Sequence, residues 1–278
     1  MFERTRRGLG IAASSLKLLS AHPRLMALPV LSVITFAVSL LLVGIAMFTG
    51  EQVGITKLLL LPGFFVLLLA TTFFGVFFNV ALVSCVMDAF AGRPVSLRAG
   101  LSAAAARLPQ IMWWSLYATT IGVLIGVLRN LLRKLGMLGA LVGSAASLSW
   151  AILTYFVVPV LVTENVGPAE AVRRSTDIIK RNWGNAVGVE AGLSFLLIFG
   201  IVPPAVLIYF INSSDAVPGL HDKMLAFAGI ASFAYFAALI AFISTMDVIF
   251  RTGVFIYATT GVLPQGVDPA TMKGVFRS

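Results

Sequence analysis

Few side chains in this 278-residue chain could perform chemistry. The only thiol is Cys85, and the two histidines are His22 and His221, far apart in the sequence. A zinc site needs several His, Cys or carboxylate ligands brought together, and a Ser–His–Asp triad needs a histidine beside its nucleophile. The sequence contains no HExxH, GxSxG, P-loop or dinucleotide-binding motif. It therefore predicts a protein that is not an enzyme and that holds neither a metal nor a cofactor.

Glu190 is an acidic residue at the start of a long apolar run, six residues past Gly184. Ionisable groups inside a membrane span are expensive to bury and often functional. Two interpretations stay open: a carboxylate coupled to proton or cation movement, or a structural carboxylate paired with a nearby Arg or Lys. Asp247 and Arg251 are four residues apart, which predicts a local ion pair on one helix.

The densest charged segment is Pro168–Trp183, which has the periodicity of an amphipathic helix. It carries an excess of basic residues over Glu170 and Asp177. The basic residues are Arg173, Arg174, Lys180 and Arg181. Basic residues beside a bilayer attract anionic lipid headgroups, and they also fix topology, with tryptophan in the interfacial belt. We interpret these four residues as candidate lipid-headgroup contacts.

The amino-acid composition predicts that the helices which position these residues span a membrane. Hydrophobic residues make up 59% of the chain and charged residues 11%, which excludes an ordinary soluble domain. Each charge-free apolar run is long enough for the roughly 20 residues that a spanning helix needs. The runs are 25–50, 58–87, 108–128, 135–163, 191–214 and 224–246. The predicted fold is therefore all-α, a transmembrane bundle of six helices forming one integral membrane domain over 1–278.

The net charge of +9 would suggest nucleic acid in a soluble protein, but here its distribution indicates topology. Fifteen of the 20 Lys and Arg residues fall on the side of the amino terminus when six spans are assumed. This bias predicts that both termini are cytoplasmic, with 251–278 as a cytoplasmic tail. The basic cluster Arg129–Lys134 is the exception on the opposite side, where Leu131 and Leu132 would lay the turn along the headgroups.

Amphipathic patterns precede the odd-numbered spans, in Gly8–Ser20, Ser96–Ile111 and Pro168–Trp183. They predict three interfacial helices and a weak threefold repeat with units at roughly 4–92, 93–167 and 168–250. Several pairs of glycines four residues apart predict close helix packing, within the bundle or between copies. They are Gly122/Gly126, Gly139/Gly143 and, as the candidate packing face of span five, Gly184, Gly188 and Gly192.

Short motifs are spread along nearly the whole chain. They are Phe2-Glu3-Arg4 with Arg7-Gly8, the stretch 155–161, Ala171-Val172-Arg173-Arg174-Ser175 through Asn182-Trp183-Gly184, and Phe250-Arg251-Thr252 followed by 257–261. In these the chain resembles an uncharacterised family of six-span prokaryotic membrane proteins, itself distantly similar to the membrane domain of glycerophosphodiester phosphodiesterases. The resemblance implies the six-span topology and no activity, because the phosphodiesterase catalytic domain has no counterpart here.

The leading functional hypothesis is a non-catalytic protein of the prokaryotic plasma or inner membrane that organises lipids or partner proteins. Its partners would be membrane lipids, mainly anionic, with a membrane protein or a second copy of the chain as a further possibility, and no nucleic acid. The alternative is a transporter or channel for a lipid-like or small apolar solute, which a hydrated cavity reaching Glu190 would favour. An intramembrane enzyme ranks third.

Overall fold

The computed structural model of the protein describes residues 15–53, 57–182, 200–212 and 220–263. Within these ranges the chain is all-helical, with short turns and no strand. Residues 15–21 are helical, and His22 leads into the 3₁₀ turn Pro23–Met26. The helices that follow are α1 (Ala27–Val53), α2 (Lys57–Phe90), α3 (Leu97–Ala105), α4 (Leu108–Arg133), α5 (Gly136–Leu153), α6 (Val157–Thr163), α7 (Pro168–Asn182), α8 (Val202–Asn212) and α9 (Leu220–Thr260).

Five helical stretches of the described residues are long and apolar enough to cross a membrane. They are Pro23–Ala46, Pro62–Phe90, Leu108–Arg133, Gly136–Thr163 and Lys223–Thr260. These agree with five of the predicted spans, and their length and composition indicate a membrane protein. Of the fifth predicted span, 191–214, the structure describes residues 200–212. Its described part contains α8, which is apolar but shorter than a bilayer requires.

Buried side chains concentrate at one end of the bundle. One cluster joins Leu25 and Leu28 to Val83 and Val86 of α2, and Ile249 of α9 belongs to the same cluster. The second cluster joins the 156–161 segment to residues 250–255 and to Ala171 of α7. We call the segments 15–28, 80–114, 156–182 and 246–260 the packed end. Away from it, apolar side chains such as Leu41 and Phe227 are exposed, as expected where lipid tails replace a protein core.

Helix direction places several predicted surface segments together at the packed end. The helix α1 begins there, α2 ends there, α4 begins there, and both α6 and α9 end there. The helices α3 and α7 pack against this end, on α2 and α6 respectively. The described residues 15–28, 93–107, 168–182 and 251 therefore share one side of the bundle, in agreement with the predicted charge bias.

The last helix is longer than the sequence analysis indicated. The helix α9 has 41 residues, or roughly 61 Å, against a hydrocarbon thickness of about 30 Å. Even a tilt of about 40° leaves it spanning roughly 47 Å. Residues 251–260, assigned from sequence to the tail, continue the helix because Thr252, Val254 and Phe255 are buried at the packed end. The helix stops at Gly261, whose φ of +70° suits glycine. Residues 264–278 lie outside the described ranges.

The second amphipathic segment forms two helices rather than one. Ser96 caps α3, its Oγ accepting from the Ala99 N–H at 3.5 Å. The predicted helix Ser96–Ile111 is wrong in its extent, because α3 ends at Ala105 and α4 begins at Leu108. Pro109 is the cause, since proline fits the first turn of a helix but not its interior. In the first amphipathic segment, the described residues 15–21 are helical with Leu19 buried and Leu16 exposed.

The fourth span is bent between α5 and α6. Pro159 has no N–H, and its ring would clash with the Tyr155 carbonyl in a continuous helix. The chain therefore turns at 154–156. The Phe156 N–H that the bend frees donates instead to Ser175 Oγ of α7, at 3.0 Å. Because Ser175 is fully buried, this hydrogen bond ties the bend directly to α7.

Replacing Ser175 by alanine should lower the free energy of unfolding by about 1–3 kcal/mol, because it leaves the buried Phe156 N–H without a partner. Thermal unfolding in mild detergent measures the effect. Ser115→Ala is the matched control: Ser115 is equally buried, but its hydroxyl only donates to the Ile111 carbonyl of its own helix. Equal losses in the two variants would contradict the role assigned to Ser175.

Candidate functional site: the basic face of helix α7

The helix α7 begins at Pro168, as its sequence predicts. Pro168 occupies the first turn, where no intrahelical N–H bond is lost. Glu170 lies in the first turn, and Lys180 and Arg181 lie in the last turn. Acidic residues near the start and basic residues near the end both interact favourably with the helix dipole. The helix is therefore locally stabilised by the same charges that make up its surface.

The two sides of α7 differ sharply in burial. Ala171 and Ser175 are fully buried, and Val172, Ile178 and Ile179 pack against the second hydrophobic cluster. The four basic candidates are all exposed on the other side. These are Arg173, Arg174, Lys180 and Arg181. The structure therefore brings the predicted residues together as one exposed surface, which we call the basic face.

Ion pairs occupy the amino-terminal half of the basic face. Arg173 donates two hydrogen bonds to the Glu170 carboxylate, at 2.7 and 2.8 Å. Arg174 lies 3.2 Å from the Glu164 carboxylate and 3.7 Å from that of Glu170. Among the described residues, Lys180 and Arg181 have no carboxylate within ion-pairing distance. Two of the four cations are thus paired locally, and the other two have no carboxylate partner in the part of the chain that the structure describes.

The Glu170–Arg173 pair shifts the titration of both groups. The hydrogen bond from Arg173 is the main cause that lowers the pKa of Glu170 below its ordinary value of 4.5, and the charges of Arg173 and Arg174 add to it. The same hydrogen bond raises the pKa of Arg173. Both groups are therefore charged at neutral pH.

The start of α4 and the loop before α7 form the surface next to the basic face. The Arg107 guanidinium donates to the Glu164 carbonyl at 3.5 Å, and the Gln110 amide donates to the Asn165 side chain. An open depression of about 200 Å³ lies between them, lined by Pro109, Gln110, Trp113, Asn165, Val166, Gly167 and Pro168. Trp113 is 63% exposed, as expected for a tryptophan at a membrane interface. An open surface of this kind suits a headgroup better than an enclosed substrate.

The predicted ion pair between Asp247 and Arg251 is present on α9. The Arg251 guanidinium donates to the Asp247 carboxylate at 2.7 Å, and each side chain is only 21% exposed. The guanidinium also lies 4.3 Å from the ring centroid of Tyr155, at the bend of the fourth span. A cation over an aromatic face is an attractive arrangement. This contact, which the sequence did not indicate, joins α9 to the bend that Ser175 of α7 also holds.

The remaining site candidates lie outside the described residues. They are Glu190 and the glycines Gly184, Gly188 and Gly192. Their roles stay predictions. Across the described ranges, no group of three or more His, Cys, Asp or Glu side chains is arranged to hold a metal ion.

One protein-family model matches most of the chain. The model of DUF6159, a family of unknown function, matches residues 55–264, about three quarters of the sequence. The chain belongs to this family. The DUF6159 match runs from the beginning of α2 through the end of α9 and so contains the basic face. No curated protein and no solved structure matched the chain. The resemblance to the membrane domain of glycerophosphodiester phosphodiesterases therefore gains no support beyond its sequence motifs.

Proposed function

We propose that the protein is a non-catalytic integral membrane protein that organises anionic lipids at its packed end through the basic face of α7. One observation carries this proposal. Arg173, Arg174, Lys180 and Arg181 are all exposed on a helix whose other side is buried in the bundle. A surface held in this way presents its charges in a fixed position beside the membrane.

The energetics of membrane surfaces support this assignment. Each Lys or Arg near an anionic bilayer surface contributes about 1 kcal/mol of attraction. Lys180 and Arg181 can contribute directly, whereas Arg173 and Arg174 share carboxylates with Glu170 and Glu164. Trp113 and the open depression beside α7 add apolar surface at the same level. Basic and aromatic groups in combination are typical of a lipid-headgroup surface.

The proposal includes the topology that the sequence predicts. The membrane is the plasma or inner membrane of a prokaryote, and the packed end and both termini lie in the cytoplasm. The bundle has six spans, the fifth of them over 191–214, and the threefold repeat consists of three units, each an interfacial helix followed by two spans. The described basic residues favour this orientation, because Lys17, Arg24, Arg93, Arg98 and Arg107 accompany the basic face at the packed end.

Removal of the basic face tests the proposal. In the variant Arg173→Gln, Arg174→Gln, Lys180→Gln, Arg181→Gln, we expect fewer phosphatidylglycerol molecules to remain bound in native mass spectrometry from mild detergent. The matched control is Lys17→Gln, Arg24→Gln, Arg93→Gln, Arg98→Gln. It removes four exposed charges from the same end, including an Arg93 paired with Asp88 as Arg173 is with Glu170. Equal lipid retention in both variants would overturn the proposal.

Glu170→Gln should act in the opposite direction. It removes the carboxylate that holds Arg173 and Arg174, so more positive charge becomes available and phosphatidylglycerol retention should rise. Because the pKa of Glu170 is lowered on folding, its pair stabilises the protein above about pH 4.5, and the stabilisation is lost as the pH falls through the lowered value. Protonation of Glu170 removes the same negative charge as the substitution. The number of phosphatidylglycerol molecules retained by the wild-type protein should therefore rise toward that of Glu170→Gln as the pH falls through this range. A fall in retention for Glu170→Gln at neutral pH would contradict this expectation.

In a second form of this proposal, the packed end organises partner proteins and not lipids. A membrane protein, or a second copy of the chain, could bind the packed end in place of lipid. The mass spectra from the lipid experiment measure this directly. A protein that copurifies with wild type and leaves in the basic-face variant would assign the surface to a protein partner instead of lipid.

Transport is the alternative function, and it depends on Glu190. If the protein moves a lipid-like or small apolar solute coupled to a cation, Glu190→Gln should abolish counterion-coupled flux in proteoliposomes. Unchanged flux, or no flux in wild type, would favour the lipid-organising function.

A further inference from the structure

The hairpin between α4 and α5 carries a second basic cluster, at the end of the bundle opposite the packed end. Arg129, Arg133 and Lys134 are all exposed there. Among the side chains that the structure describes, no ion pair involves any of these three residues. Arg133 donates to the side chain of Asn130, which is a neutral partner. This cluster is the exception to the charge bias that predicts topology, so it needs its own explanation.

Two glycines build the hairpin and fix one of its cations. A Cβ on Gly139 would collide with the Leu132 carbonyl oxygen, so glycine allows α5 to turn back closely on α4. A Cβ on Gly143 would lie 2.9 Å from Cγ of Arg129, so the aliphatic stem of Arg129 lies against Gly143. The turn itself uses Gly136, with a φ of +78°. The cations therefore stand on a rigid hairpin.

Apolar side chains surround the three cations. Leu135, Met137 and Leu138 are between 72% and 78% exposed, and Leu131 is 56% exposed. Exposed leucine and methionine beside lysine and arginine form the combination that inserts into the boundary between acyl chains and headgroups. An acidic soluble partner would cover the charges but would leave these apolar side chains in water.

The length of α4 puts the cluster at that boundary. Nineteen residues separate Gln110 from Arg129, which corresponds to roughly 28 Å of helix at 1.5 Å per residue. The hydrocarbon layer is about 30 Å thick. With Gln110 and Trp113 at one interface, Arg129 reaches the headgroups of the other leaflet.

We propose that the α4–α5 hairpin tip binds the phosphate groups of anionic phospholipids in the leaflet opposite the basic face of α7. Arg129, Arg133 and Lys134 supply the charge, and Leu131, Leu135, Met137 and Leu138 supply the acyl-chain contacts. The site is separate from α7, so the protein engages anionic lipid on both sides of the membrane. It stands or falls independently of the function proposed for α7.

Local lipid quenching tests the proposal. A bimane label is placed at Leu135→Cys in a Cys85→Ala background, and the protein is reconstituted in phosphatidylcholine vesicles. Brominated phosphatidylglycerol and brominated phosphatidylcholine are added separately at the same mole fraction. We expect the phosphatidylglycerol to be enriched about fivefold around the label, the size that one well-placed basic residue supplies. Added salt should reduce the ratio toward one.

Charge variants and a second label position complete the test. Arg129→Gln, Arg133→Gln, Lys134→Gln should bring the ratio to one, whereas Arg129→Lys, Arg133→Lys should keep it. A label at Phe36→Cys, 53% exposed on α1, should give a ratio of one in every protein. Equal quenching by the two lipids at Leu135→Cys in wild-type charge, or a ratio that salt and the Gln variant leave unchanged, would overturn the proposal. If the Gln variant does not fold, the salt series on the wild-type charges decides alone.

Discussion

Replacing Arg251 by methionine should destabilise the protein by about 1–3 kcal/mol, because it leaves the carboxylate of Asp247, which is only 21% exposed, without its cation. Asp247 accepts from Arg251 with Oδ2 at 2.7 Å, and its Oδ1 is buried with no hydrogen-bond partner among the described residues. Among the described residues, the substitution therefore leaves both carboxylate oxygens of Asp247 without a hydrogen-bond partner. It also removes the guanidinium from the Tyr155 ring at the bend of the fourth span. Thermal unfolding in mild detergent measures the loss.

Two further variants show whether the loss of stability comes from leaving the Asp247 charge without a partner or simply from losing an ion pair. Asp247→Leu with Arg251→Met should recover most of the stability, because neither charge is then buried alone. Arg93→Met breaks an ion pair of similar length, 2.6 Å from Asp88, but that arginine is 63% exposed, so the cost should be about 0–1 kcal/mol. A double variant as unstable as Arg251→Met alone would show that the charge of Asp247 is not the cause.

Gly100→Ala should cost about 1–3 kcal/mol, although alanine is the better helix former. A Cβ at this position would lie 2.7 Å from the Ala81 carbonyl oxygen and would collide with Cys85 Sγ. The backbone oxygen cannot swing away, so α3 must move off α2. Because Cys85 is 1% exposed and lies beneath α3, its thiol should also react faster with maleimide. Unfolding temperature and labelling rate give two independent readouts.

Gly122→Ala is the matched control for Gly100→Ala. Gly122 also lies within a helix, but no atom outside that helix's own backbone comes within 4 Å of a Cβ built there. Its stability should stay level or rise by up to about 1 kcal/mol through helix propensity. If the Gly100 variant matched this control in both readouts, close contact between α3 and α2 would not be needed for stability.

The spans were predictable because hydropathy is a local property of the sequence. The charge-free runs 58–87 and 135–163 lie within or close to helices of matching extent. The third apolar run ends at 128, before Arg129 and Arg133, whereas the helix that contains it is longer. Long basic side chains reach the interface from within a helix, so α4 continues to Arg133.

The features that depend on contacts between distant residues were not predictable in the same way. The pairing of Phe156 with Ser175 joins positions 19 residues apart, and the contact of Arg251 with Tyr155 joins positions much farther apart. A helical periodicity relates only neighbouring positions on one helix, so it predicts neither of these two contacts. The basic face was predictable because the helical period alone sorts Ala171 and Ser175 from Arg173 and Arg174. The glycine pair Gly139/Gly143 was identified as a packing motif, but only the structure shows that it receives Leu132 and Arg129.

Because α9 is longer than the hydrocarbon layer is thick, we expect its tilt to depend on the thickness of the bilayer. A helix that is too long for the hydrocarbon layer adjusts by tilting, and it tilts more as the layer thins. Because α9 is one unbroken rod from Leu220 to Thr260, a change of tilt at its lipid-exposed half becomes a displacement of Arg251 and Phe255 at the packed end. We expect lipid retention at the basic face to change with acyl-chain length, in vesicles of constant headgroup composition. We therefore expect the tilt of α9 to connect membrane thickness with the position of the surface that α7 presents.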